Sequence, residues 1–226
     1  MQITKFPALG ALTATLMATT AQADGHATDM GFALANDGGT LVMMADITAP
    51  TEVSTTDLST PLAALAWRPV TGTLLGFTDG RIFEVDLETG ALTDLDAAFA
   101  DEATIADGAR VAFDFNNAID AVRAVSSAGD NLVYFPEGFG DNDERAGTVI
   151  RVTDMAYADG DANAGAEPMV FANAYTNAIN GMTAETTFQY GLDAGTDALI
   201  SIANNAGTLE TIAPVMVDGM AAGISD

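Results

Sequence analysis

Cysteine is absent, lysine occurs only at position 5, and the single histidine is His26. Without cysteine there is no disulfide framework, no thiol nucleophile and no acylated lipoprotein cysteine. With its one imidazole so near the N-terminus, the folded region has no base for a Ser-His-Asp triad. Gly-rich phosphate fingerprints are missing as well, because "GFGDND" does not follow a strand and open a helix. No segment approaches the roughly 18 apolar residues that a membrane-spanning helix needs.

Positive charge is scarce: 7 Lys+Arg stand against 32 Asp+Glu, a formal net charge of −25. Such a surface repels nucleic acid and anionic membranes and attracts cations. Salt relieves its self-repulsion, which suits a saline setting. A hydrophobic fraction of 49% is too high for a disordered acidic tail, so a buried core is expected. About 200 residues suit one domain.

Residues 1–23 read as a secretory signal peptide. Lys5 supplies the positive n-region, "FPALGALTATLMATT" the apolar stretch, and Ala21-Gln22-Ala23 the small-x-small cleavage site. Removal of this leader takes away the only lysine and no acid, leaving six arginines against 32 acids, 6 − 32 = −26. The expected organisation is then a short flexible N-terminus over residues 24–30 and a single domain over 31–226. The expected location is the periplasm or medium of a Gram-negative bacterium, and the expected oligomeric state is a monomer.

The chain repeats itself. "LAWRPVTGTLLGF" (Leu65 to Phe77) aligns with "FDFNNAIDAVRAV" (Phe113 to Val125) at a constant offset, with Leu65/Phe113, Trp67/Phe115, Leu74/Val122 and Phe77/Val125 coinciding. Further copies are "TTFQYGLDAGTDALISI" (Thr186 to Ile202) and, in part, "GFALANDGGTLVMMAD" (Gly31 to Asp46). "TGALTDL", "AGTVIRV" and "AGTLETI" close successive units in the same way. Short β-branched and aromatic runs separated by Asp-Gly, Gly-Gly and Ala-Gly turns predict strands, not helices. Four strands recurring at this spacing predict an all-β, β-propeller-like repeat of four-stranded antiparallel blades. The blades fall at residues 31–57, 62–96, 110–153 and 169–213. The first copy lacks an innermost strand, and the tail Met216 to Asp226 is expected to supply it, closing the ring between the two termini. An open β-sandwich is the alternative.

"FDFNNAIDAVRAVSSAGDNL", "YADGDANAGAEPMVFANAYTN" and "LDAGTDALI" resemble the bacterial family called domain of unknown function 4394. The resemblance runs from about Phe32 to Val217 and implies a secreted, propeller-like domain. It brings no agreed catalytic residues. Asn117 replaces a usual proline, and "FPEGFGDNDERAG" (Phe135 to Gly147) lengthens a usually short turn, so the departure concerns that loop.

Asp159, Asp161 and Asn163 stand at alternate positions ahead of Gly165, as the first three ligands of a calcium loop do, because alternate side chains of a tight loop turn inward. Ala164 and Val170 replace the glycine and the bidentate glutamate of an EF-hand, so Glu167 or a carbonyl would have to complete a different cage. The alternative is a rigid turn in which Asp and Asn accept bonds from their own backbone. Asp141 and Asp143, with Glu144, form a second candidate cation cluster. If cleavage follows Ala23, Asp24-Gly25-His26 would offer an amine, two backbone nitrogens and an imidazole to Cu(II) or Ni(II). Asp114, Asn116 and Asp120 are expected to make turns, and Arg123 to pair with a carboxylate inside the sheet.

Two function classes follow. The first is a non-enzymatic binding or structural module for an extracellular partner, glycan or surface, with calcium as its one candidate cofactor and no catalytic residues. The second is a metal-assisted hydrolase or lactonase with carboxylates around a channel cation. They differ in geometry: the hydrolase needs at least three Asp, Glu or Asn side chains at one axial cavity, whereas the binding module shows an aromatic or apolar patch on a rim.

Overall fold

The computed structural model describes residues 30–48, 51–78 and 80–224. The leader, its cleavage site and His26 lie outside these residues. The fold is all-β, and its only helical element among the described residues is the turn Asn204–Ala206.

Four main sheets follow one another along the chain. The first contains β1 (Gly31–Ala35), β2 (Thr40–Met44) and β3 (Val53–Asp57), and the second β4 (Ala64–Arg68), β5 (Thr73–Thr78), β6 (Arg81–Val85) and β7 (Leu92–Asp94), each in simple antiparallel order. After β8 (Ala98–Phe99) come β9 (Val111–Asn116), β10 (Ala121–Ser126), β11 (Asn131–Phe135) and β12 (Thr148–Arg151), an antiparallel third sheet. The fourth repeats this plan with β13 (Ala156–Tyr157), β14 (Val170–Tyr175), β15 (Gln189–Asp193), β16 (Ala198–Ala203) and β17 (Thr208–Pro214). The three complete units therefore fall where the repeat predicts them. One addition escaped the pattern: β8 and β13, two residues each, run parallel to β12 and β17 and make those sheets five-stranded.

The second sheet shows why its strands are apolar at nearly every position. Leu65, Trp67, Leu74, Phe83 and Val85 belong to a cluster shared with Phe32, Leu34, Leu41 and Met43 of the first sheet, with Trp67 stacked on Phe32 at 5.7 Å. The intervening Ala64, Ala66, Leu75, Phe77 and Ile82 belong to a cluster shared with Phe113, Phe115, Val122, Leu132 and Tyr134 of the third. A sheet covered on both faces loses the alternation of polar and apolar residues. A third cluster, including Val125, Val170, Ile200, Ile202 and Leu209, joins the third sheet to the fourth. Among the described residues no core cluster joins the fourth sheet back to the first.

Among the described residues the expected closure of the termini is not formed. β1 is itself the first strand of its sheet, and the tail folds on itself as a hairpin of β18 (Met216–Val217) and β19 (Met220–Ala221). The cause is local: Asp218 and Gly219 both take positive φ, 52° and 78°, the Asp-Gly turn that a two-residue hairpin favours. The tail is tied to the fourth sheet, where Val215 N donates to the Asp197 carbonyl and Ile224 N to Asp197 Oδ1. One glycine is also fixed by tertiary packing: a Cβ on Gly38 would overlap the Leu62 carbonyl, and its φ is +83°.

Candidate functional site

The first strands of the four sheets, β1, β4, β9 and β14, converge on an open cavity of about 290 Å³. Phe32, Leu34, Leu65, Val111 and Phe113 line it, with Asn173 as the one polar side chain among the described residues. Among the described residues no carboxylate lines this cavity.

Polar chemistry is concentrated instead between the third and fourth sheets. Arg123, 3% exposed, donates from Nε to the Tyr175 hydroxyl at 2.9 Å, from Nη1 to Asn131 Oδ1 at 2.6 Å, and from Nη2 to Asn205 Oδ1 at 2.7 Å. The Tyr175 hydroxyl contacts Gln189 Oε1 at 2.8 Å and Asn204 Oδ1 at 2.7 Å, and Asn131 Nδ2 donates to the carbonyls of Thr153 and Asn204. The carboxylate expected beside Arg123 is replaced by neutral oxygens. Asp114, its cross-strand partner, points to the fourth sheet and accepts Tyr175 N at 2.6 Å. Burial pushes the Asp114 carboxyl up to about 6, against the pull of its backbone donors, and pushes the Tyr175 hydroxyl up to about 12. Asp114 therefore joins sheets and makes no turn. Asn116 does cap a turn, accepting Ala118 N at 3.1 Å, and Asp120 sits in that turn at φ 53° while gripping Arg68 of the second sheet at 2.5 Å.

One rim of the stack carries the longest loops. The segment between β14 and β15 reaches across the neighbouring sheets: Gly181 N donates to the Pro69 carbonyl and Ala184 N to the Asn117 carbonyl, while Asn117 Nδ2 donates to Thr176 O. It holds Ile179 and Met182 as a bridged pair, 42% and 58% exposed, on the same rim as Ile119 at 47%. Beneath lies an open pocket of about 380 Å³ bounded by Ile119, Asp120, Phe139, Asp141 and Thr183. The lengthened loop that carries Asp141 is held by Asp143, which takes Arg145 through Nε at 2.9 Å and Nη2 at 2.7 Å, and by stacking of Arg145 over Phe135 and Phe139. The Arg145 bonds hold the Asp143 carboxyl down at about 2. Of this pair only Asp141 faces the pocket.

The other candidate cation loop is tied to β17. Asp161 Oδ1 accepts Asn163 N at 2.8 Å and the Thr211 hydroxyl at 2.7 Å, and Asp161 Oδ2 accepts Thr211 N at 2.7 Å. These bonds lower the Asp161 pKa, the one from Asn163 N most. Asn163 Nδ2 also donates to the Thr211 hydroxyl, at 2.9 Å. Asp161 and Asn163 thus converge on one threonine, whereas Glu167 borders a separate groove with Ser127 and Asp154, and Asp159 is exposed. Among the described residues no three His, Cys, Asp or Glu side chains come close enough to share an ion. The seam residues Tyr175, Asn131, Gln189 and Asn204 went unmarked in the sequence; polar residues inside strands that the repeat makes apolar were the available signal.

The model for the family described as Domain of unknown function (DUF4394) matches residues 41–224. No curated protein matches the chain. Among solved structures it is similar to an auxiliary nutrient binding protein from Bacteroides ovatus, at 14% identity and a TM-score of 0.48, over 80% of this chain and 46% of that one. A second auxiliary nutrient binding protein, from Bacteroides thetaiotaomicron, is 14% identical with a TM-score of 0.46, over 80% and 46% of the two chains. YCF48 bound to D1 peptide is 10% identical with a TM-score of 0.38, over 78% and 50%. The chain thus spans half or less of each of these proteins, and likenesses this distant do not carry a ligand or an activity across.

Proposed function

The chain belongs to the DUF4394 family, and within that family we propose that it is an exported, non-enzymatic binding module whose four sheets act as propeller-like blades presenting a loop rim to an extracellular partner. The leader is removed after Ala23, and residues 31–226 act as one domain. The observation that supports this reading most is the contrast between an acid-free axial cavity and a rim with exposed Ile119, Ile179 and Met182 beside Asp141. Exposed apolar side chains grouped at loop tips mark contact surfaces. In a chain of net charge −25 the matching partner combines apolar side chains with positive charge.

The test uses the mature protein against displayed extracellular peptides and a glycan array, beside the double variant Ile179→Ser/Met182→Ser. Binding that favours cationic, apolar peptides and falls at least tenfold in the variant, with an unchanged melting temperature, supports the rim. Equal binding by both proteins, or turnover of ester or lactone substrates, overturns it.

A further inference from the structure

Among the described residues the second and third sheets are covered on both faces, the first and fourth on one. Strand register identifies the uncovered faces. On the fourth sheet Tyr190, Ser201 and Glu210 form one row and Leu192, Leu199 and Ala213 the next, bordered by Phe188, 63% exposed. On the first sheet Ala33, Val42 and Thr55 form one row and Gly31, Met44 and Val53 another, with Ile47 lying against Gly31.

Two features mark these faces. No strand of the second or third sheet carries an exposed large apolar side chain among the described residues. Val53 and Ile212, in strands of the first and fourth sheets, are 56% and 48% exposed, and Ile47 and Phe188 beside those strands 50% and 63%. Acid is also nearly missing: with 32 Asp and Glu in the chain, the strands of the fourth sheet hold only Asp193, buried on the inner side, and Glu210. The strands of the first hold only Asp57, at the margin.

We propose that the open face of the fourth sheet packs on the open face of the first sheet of a second copy, so that two chains close head to tail. The interface repeats what the chain already does three times internally, sheet face against sheet face through aliphatic and aromatic side chains. A second copy also satisfies the electrostatics. Chains this acidic repel each other, and the described strands put only Glu210 and the marginal Asp57 on the two faces, so contact there meets the least repulsion. Two reciprocal contacts close the pair and leave no end for further growth. A dimer replaces the monomer expected from sequence, and the proposal is independent of the rim.

Analytical ultracentrifugation of the mature chain, across protein concentration and at low and high sodium chloride, tests it. The expected mass is twice that of one chain, with dissociation promoted by low salt because screening is withdrawn. Ser201→Arg on the fourth sheet and Thr55→Arg on the first should each give monomers, since every contact needs one face of each kind. Their equimolar mixture should recover a dimer held by the one remaining intact contact. Ala203→Arg, at an exposed position in line with Ser201, serves if Ser201→Arg loses its β circular dichroism. A single-chain mass at all concentrations and salts overturns the proposal. So does a single variant that stays fully dimeric, which would mean that like faces pair.

Discussion

The seam between the second and third sheets is filled by apolar side chains, whereas the seam between the third and fourth adds a buried polar network to its apolar cluster. The first is dry, with Phe77, Ile82, Phe113, Phe115, Val122 and Leu132 filling it and the rings of Phe77 and Phe113 5.5 Å apart. The second places Arg123, Asp114, Tyr175, Asn131 and Gln189 in one buried network, and no buried side-chain nitrogen or oxygen among the described residues lacks a partner. Apolar packing tolerates substitutions of similar volume. A closed polar network does not, because every lost donor strands an acceptor in a low-dielectric interior. The first seam supplies stability through area, and the second fixes which groups must meet.

The largest expected effect sets one seam against the other. Arg123→Met nearly keeps the side-chain volume but leaves the buried Asn131 Oδ1 without its donor and breaks the links to Tyr175 and Asn205, so it should destabilise by about 3 kcal/mol or more. Leu132→Met in the apolar seam should cost less than about 1.5 kcal/mol. Urea unfolding of both variants at pH 7 decides the matter, and a reversed order would break the comparison.

The next effect is a pH dependence confined to the polar seam. Burial raises the Asp114 carboxyl from 3.8 to about 6, so between these values the folded chain holds a proton that the unfolded chain has lost. Its contribution to stability is therefore intact below pH 3.8 and is lost as pH rises through 6. Asp114→Asn imitates the protonated form. It should be more stable than the parent by at most about 3 kcal/mol at pH 7 to 8, with the difference shrinking towards zero near pH 4. A constant difference over pH 4 to 8 would remove Asp114 as its source.

Smaller still is the loss at the loop pinned to β17. Asp161→Ala removes three hydrogen bonds to Asn163 and Thr211 and should lower the melting temperature by the same margin in calcium and in chelator, at equal ionic strength. A loss seen only with calcium would make the loop an ion site. Least of all is expected from deleting residues 216–226, since that hairpin pairs with itself and adds no strand to a main sheet. Cooperative melting should persist within a few degrees. A collapse of the transition would restore the closure of the termini.

Much of the fold was legible because it repeats. Trp67 and Phe115, or Leu74 and Val122, occupy matching strand positions, and a period of alternate apolar residues broken by Gly turns can hardly be read as helix. The candidate sites were legible only as composition. Asp159, Asp161, Asn163 and Glu167 share a ligand-like spacing, yet the threonine that takes up Asp161 and Asn163 is Thr211, fifty residues away from Asp161. Arg123 announced a buried partner, but its neutral partners come from β11, β14 and the turn after β16, which no local pattern connects.

By itself the sequence determined the strand content, the three complete repeat units, the acidic surface and the Asp-Gly turns, because each follows from local propensity or from a count of charges. Tertiary structure alone decided that the tail hairpin stays apart from β1, that Asp114 and Arg123 meet Tyr175, and that the described residues leave two sheet faces uncovered. Those outcomes depend on which distant surfaces come within van der Waals and hydrogen-bonding reach, and reach of that kind is set by the packing of whole sheets.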